Sequence, residues 1–81
     1  MKERIKEALE SIGTVRKARD GYMAFIVDTK IADIEFRILG TILEMIGYKI
    51  TGREEYGWEC ISEFDVIIYT NLPEEEYNQE G

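Results

Sequence analysis

Five carboxylates in the second half of this 81-residue sequence are its first candidates for chemistry: Glu54, Glu55, Glu59, Glu63 and Asp65. Hard cations such as Ca²⁺ bind six to eight oxygen atoms, which clustered carboxylates can provide. The group lacks the spacing of the common calcium-binding loop, and residues i and i+2 of one strand lie about 7 Å apart. Bound Ca²⁺ or Mg²⁺ would therefore need further ligands from a loop. We favour the alternative interpretation, a solvated acidic face partly paired with Lys49 and Arg53.

Other kinds of chemistry are limited by what the chain lacks. It contains no His and a single Cys, Cys60. Without His, neither a Ser-His-Asp nor a Cys-His nucleophile can be built within one chain, and one Cys excludes an intrachain disulfide or a multi-cysteine zinc site. Cys60 and Trp58 are predicted to be core residues, because the acidic neighbours of Cys60 disfavour a reactive thiolate. We predict that the protein is not an enzyme and carries no cofactor.

The charge of the chain is unevenly distributed. The net charge is −7, but residues 1–40 sum to +1 and residues 41–81 to −8. An acidic surface is repelled by phosphate backbones, so nucleic acid is not an expected partner, whereas a basic protein or a cation is. No run of about 18 apolar residues occurs, and the N-terminal segment is charged and amphipathic. We therefore expect neither a membrane partner nor a signal peptide, and a cytoplasmic location.

Three basic residues, Arg16, Lys17 and Arg19, lie close together in the first half. They could bind a phosphate or an acidic surface, including the acidic half of a second copy. The alternative, which we favour, is that they keep an edge strand soluble.

The first half of the chain predicts a helix followed by a hairpin. Apolar residues at helical spacing favour a helix over residues 2–12: Ile5, Ala8, Leu9 and Ile12. Gly13 follows at the position of a C-cap glycine. The segments 14–18 and 22–28 resemble strands, and the Asp20-Gly21 pair between them is a strong hairpin signal.

The second half predicts the same order of elements. A helix is expected over residues 30–46, with Asp28 or Thr29 as N-cap and Gly47 as C-cap residue. Its apolar residues form two adjoining stripes, one with Ile31, Ile34, Ile38, Ile42 and Met45, the other with Phe36, Leu39, Leu43 and Ile46. This arc is wider than one sheet contact needs. Strands are predicted over 48–53 and 64–70 with a turn at 54–57, and 58–62 could be strand, bulge or loop.

The two halves also resemble each other in sequence. At an offset of 34, six of fourteen ungapped positions in 9–22 and 43–56 are identical. A repeated helix–strand–strand unit predicts a pseudo-duplicated αββαββ fold of the α+β class, with a four-stranded antiparallel sheet and two helices on one face. We expect a single domain over 1–72, with units 1–29 and 30–72, and an acidic mobile tail over 73–81.

The sheet face away from the helices is predicted to be apolar. It would present four residues as a candidate interface: Tyr22, Ile26, Ile67 and Tyr69. The function that fits these observations best is a small acidic interaction module that self-associates or binds a basic protein. It would use this sheet face or helix 30–46. The alternative is a divalent-cation-binding domain that uses the clustered carboxylates.

Overall fold

The computed structural model describes residues 1–55 and 65–79, with the backbone alone at Asp65. The elements are α1 (Glu3–Ile12), β1 (Thr14–Lys17), β2 (Tyr22–Asp28), a 3₁₀ turn (Thr29–Ile31), α2 (Ala32–Met45), β3 (Ile50–Glu55), β4 (Asp65–Pro73) and α3 (Glu74–Asn78). The strands form one antiparallel sheet in the order β1-β2-β4-β3, and helices pack on it. This confirms the predicted α+β fold with a four-stranded antiparallel sheet.

The first hairpin turns where the sequence predicts it. Gly21 adopts a φ of 88°, which an L side chain disfavours, and the Asp20 carboxylate accepts a hydrogen bond of 3.0 Å from the Tyr22 amide. The Ala18 amide also donates to the Tyr22 carbonyl at 2.8 Å. These contacts set the register in which Thr14 pairs with Ile26.

Both ends of the second helical segment carry the expected signals. The Asp28 carboxylate accepts from the Lys30 amide at 2.8 Å and so caps the 3₁₀ turn that leads into α2. At the other end, Gly47 has a φ of 88°, and the Tyr48 and Gly47 amides donate to the Leu43 and Glu44 carbonyls. This pair of bonds is a Schellman motif, with Gly47 at the left-handed position.

The core lies between the helices and one sheet face. Its buried apolar side chains come from α1, β2, α2, β4 and α3: Leu9, Ile12, Met23, Phe25, Val27, Ala32, Leu39, Leu43, Val66, Ile68, Leu72 and Tyr77. Alternate residues of β2 and β4 point into this layer, as the strand period requires. Met23, Phe25 and Val27 form the core face of β2.

The segment that we predicted as an acidic tail contains a short helix. Tyr77 of α3 is only 6% exposed and joins the core, and the Lys6 ammonium lies 4.9 Å from the centre of its ring. The Met1 amino group also donates to the carbonyls of Glu76 and Gln79. Residues 74–78 therefore pack on the domain, because Tyr77 supplies an apolar anchor among the acids. The predicted end of strand 64–70 is also too early, since β4 continues to Pro73.

The strand order is what a twofold relation between the two units would produce. Exchanging β1 with β3 and β2 with β4 leaves the order β1-β2-β4-β3 unchanged. Ile26 and Ile67, which align when seven residues are inserted into the 34-residue offset, are direct cross-strand partners. The duplication itself stays an interpretation of the sequence.

Replacing Gly40 with Ala is expected to stabilise the protein. Gly40 lies inside α2, and a Cβ atom built there would lie 3.6 Å from the Ile50 Cδ1 atom, an ordinary van der Waals distance. A helix-interior Gly costs about 0.5–1 kcal/mol relative to Ala, so Gly40→Ala should raise the free energy of unfolding by about that amount. Urea denaturation followed by circular dichroism measures this; a lower midpoint would show that Ile50 cannot accept the methyl group.

Candidate interaction surfaces

Four large aliphatic side chains on the outer side of α2 and of the 3₁₀ turn before it are exposed to solvent. Ile31, Ile34, Ile38 and Met45, here called the α2 stripe, are 45, 62, 44 and 79% exposed. The opposite side of the same helix buries Ala32, Leu39 and Leu43. Single exposed apolar residues are common on protein surfaces, but three on one helix face with a fourth in the turn before it form a patch of the kind that marks an interaction site.

The spacing of the α2 stripe is that of a helix-pairing seam. Ile34 follows Ile31 by three residues, Ile38 follows by four, and Met45 follows by seven, with exposed Thr41 at the intermediate position. Alternating steps of three and four place side chains on one line along a helix. The Thr41 hydroxyl donates to the Arg37 carbonyl at 3.0 Å, so its polar group is satisfied within the helix.

Charged side chains border the α2 stripe. Arg37 and Glu44, seven residues apart, lie along one edge, and both are exposed. Neither side chain has a partner among the described residues. The other edge carries Glu35 and the partly buried Ile42. The charge along this edge therefore changes from positive at Arg37 to negative at Glu44 within two helical turns. A second helix packed there would meet both charges.

The predicted sheet interface forms a continuous surface on the side away from α1 and α2. Ile26 pairs with Ile67 at its centre, Tyr69 pairs with Ala24, and Tyr22 lies near the turn. Tyr22 is 39% exposed, whereas Ile26, Ile67 and Tyr69 are only partly exposed. The structure therefore brings the four predicted residues onto one face, but with less accessible apolar side chain than the α2 stripe has.

An open cleft of about 580 Å³ lies on this face. Arg16 and Arg19 line it on one side and Glu54 on the other, with Ala24, Ile26, Ile67 and Tyr69 on its floor. The Tyr69 hydroxyl donates to the Glu54 carboxylate at 3.3 Å. The cleft thus has an apolar floor, with Asp20 beside the two arginines at one side and Glu54 at the other.

The acidic group that we considered as a cation site does not converge in the described residues. Glu54 and Glu55 are neighbours on β3 and point to opposite faces, because successive strand residues alternate. Glu54 contacts Tyr69 on the open face, whereas Glu55 contacts Arg53. Across residues 1–55 and 65–79, no three acidic, His or Cys side chains lie close enough together to hold a metal ion. Glu59, Glu63 and the Asp65 side chain are outside the described residues, as are Trp58 and Cys60.

Arg53 connects the edge strand β3 to the start of α2. Its guanidinium lies 3.2 Å from the Asp33 carboxylate, 3.1 Å from the Glu55 carboxylate and 5.6 Å from the centre of the Phe36 ring. Arg53 thus pairs with Glu55 of the predicted acidic group along one strand, whereas the prediction was a pairing between neighbouring strands. Because both carboxylates are well exposed, each ion pair contributes at most about 1 kcal/mol.

The basic residues of the first hairpin are spread over the edge of the sheet. Lys17 forms a 3.6 Å ion pair with Glu74 of α3. Within the described residues, no carboxylate lies in ion-pair distance of Arg16 or Arg19, and both are exposed. This placement at edge strand β1 agrees with the solubility interpretation and leaves the phosphate interpretation a prediction.

The surroundings of Tyr77 shift the pKa of its phenol. Burial, followed by the negative charge of Glu10, raises the pKa of Tyr77 to about 12. Its hydroxyl is buried beside the Glu10 carboxylate. A phenol with this pKa stays neutral at physiological pH, so Tyr77 serves as a core residue rather than as an acid or base.

Comparisons with known proteins return no relative. No family model, no curated protein and no solved structure matches this chain. None of the helices in the described residues is long and apolar enough to span a membrane. The sites above therefore rest on the geometry of this chain alone.

The structure exposes four of the five residues in the first predicted apolar stripe of α2. Periodicity showed that the apolar arc was too wide for one sheet contact, but it grouped Ile42 with the outer residues. The structure places Ile42 against the core and leaves Ile31, Ile34, Ile38 and Met45 outside it. The sequence signal for an exposed apolar surface was the width of the apolar arc. Which residues of the arc face solvent depends on the rotation of α2 about its axis on the sheet.

Proposed function

We propose that this protein is an interaction module that self-associates through the α2 stripe. The observation that carries the proposal is the exposure of three large aliphatic side chains along one line of α2 and a fourth, Ile31, in the turn before it, while the other side of the helix is already buried. Association would remove them from water, which stabilises a complex by about 25 cal/mol per Å² of apolar surface. Standard interfaces bury about 800 Å² per partner, so the stripe would form the centre and the bordering charges the rim.

The net charge of −7 opposes self-association at low salt. Two copies repel each other through this charge, but salt screens the repulsion and hardly weakens apolar contacts. Self-association should therefore strengthen or persist as salt is raised. A complex with a basic protein would weaken under the same change, and that version of the function stays a prediction.

The test is sedimentation velocity of the chain and two variants over a range of concentrations. Ile34→Glu places a charge at a 62% exposed position of the stripe and should leave a monomer that is as stable as the parent. Tyr22→Glu adds the same charge on the sheet face and should still dimerise. A parent that remains monomeric at every concentration and salt level would reject self-association. Dimers of Ile34→Glu together with monomers of Tyr22→Glu would instead place the interface on the sheet.

A further inference from the structure

We propose that a second copy packs its α2 helix antiparallel to the first, with Arg37 of each copy facing Glu44 of the other. This inference rests on the proposed self-association and specifies its symmetry and register. It is carried by the pattern of charges along the edges of the α2 stripe, which is self-complementary in one arrangement.

The favoured arrangement follows from the spacing of the seam. In a twofold antiparallel pair, the residues of one helix meet those of the other in reverse order. Placing Ile38 opposite Thr41 of the other copy also places Ile34 opposite Met45. In this register, Arg37 of each helix lies beside Glu44 of the other helix, so the ion pair forms twice by symmetry. Both ion pairs lie within about one helical turn of the crossing point, where two helices approach most closely.

The neighbouring register is opposed by charge. If Ile34 lay opposite Ile38 of the other copy, Arg37 would face Arg37 and Glu35 would face Glu35. Like charges in direct contact across an interface are unfavourable. A parallel pair would place Arg37 and Glu44 on the same edge at different heights, where they do not meet. Electrostatics thus selects the antiparallel register from those that the apolar stripe allows.

A second copy is the occupant because its own Arg37 and Glu44 supply the charges that are opposite to those of the first copy. Arg37 and Glu44 are exposed and have no ion pair in the described residues, so they remain available to each other across a twofold axis. Thr41 has its hydroxyl bonded within α2 and can enter the seam without an unpaired polar group.

Charge-swap variants test the antiparallel register separately from the existence of the dimer. Arg37→Glu alone places Glu opposite Glu, and Glu44→Arg alone places Arg opposite Arg, so each should weaken its own dimer about ten- to thirtyfold. An equimolar mixture of the two should form a heterodimer of nearly parental affinity, since both contacts are then Glu–Arg. Native mass spectrometry separates the heterodimer from the homodimers by mass.

The matched control uses the same exchanges at exposed sites of α1, Arg4→Glu and Glu7→Arg. These variants carry the same net charges as the test variants, and they should neither weaken the homodimer nor prefer the mixed species. If the parent dimerises and Ile34→Glu does not, yet the swaps at Arg37 and Glu44 behave like the α1 controls, the register is wrong while the stripe remains the interface. A parent without any dimer removes the proposed function itself.

Discussion

Replacing Gly13 with Ala is expected to lower the free energy of unfolding by about 3 kcal/mol or more. A Cβ atom at Gly13 would lie 2.2 Å from the Ile26 carbonyl oxygen and 2.9 Å from the Val27 Cγ1 atom. The first neighbour is backbone, and Ile26 pairs with Thr14 on one side and Ile67 on the other. Strand β2 cannot move away without shifting both β1 and β4, so removing the overlap costs free energy.

Urea unfolding at one fixed chain concentration measures this change, because the stability of a self-associating protein depends on concentration. Gly52→Ala is the matched control. A Cβ atom there would lie 3.8 Å from the Tyr69 ring, an ordinary contact, so the change should be much smaller. Equal midpoints for the Gly13 and Gly52 variants would show that α1 can withdraw from β2 at little cost.

The second large effect is expected at Thr70, which closes a bulge in β4. Tyr22 pairs with Pro73, but Ala24 pairs with Tyr69, so three residues of β4 oppose one of β2. The buried Thr70 hydroxyl donates to the Met23 carbonyl at 2.6 Å and accepts from the Leu72 amide at 3.2 Å. One side-chain oxygen thereby satisfies two backbone groups that the bulge removes from the ladder.

Thr70→Val keeps the shape of the side chain and removes both hydrogen bonds. The carbonyl and the amide would then be buried without partners, which costs about 2–4 kcal/mol in total. Thr70→Ser keeps the hydroxyl and should lose only about 1 kcal/mol for the methyl group. Thr14→Val, at an exposed strand position, is the control and should change stability by less than about 0.5 kcal/mol. Equal losses for the Val variants at 70 and 14 would contradict the bridging role.

Local signals in the sequence predicted most elements because their causes are local. Asp20-Gly21 and Gly47 adopt the turn and cap conformations expected of them, and β2 spans the predicted residues. Gly13 was predicted as a C-cap glycine, but the structure requires a glycine there for a different reason. It is not left-handed, with a φ of 178°, and is Gly because α1 approaches β2 too closely for a Cβ atom. That contact joins residues distant along the chain, and no spacing rule reveals it.

The candidate sites likewise combine features set by local sequence with features set by distant contacts. The four predicted sheet residues do share a face, because strand alternation assigns faces directly. How exposed they are was not predictable, since Ala24 and the flanking side chains fill part of that surface. The tail was misjudged because its charge outweighed Tyr77 in the sequence, whereas the groove between α1 and β1 gives that side chain a place to pack.

The amino-acid order is sufficient to define the αββαββ pattern, the concentration of acid in the second half and an α2 with too much apolar surface. These depend on periodicity, turn chemistry and charge, all of which act between residues close in the chain. The tertiary structure alone decided that Thr70 bridges a bulge and that Ile31, Ile34, Ile38 and Met45 face solvent. Each of these depends on how α2 and the strands are rotated and registered against one another, which many long-range contacts determine together.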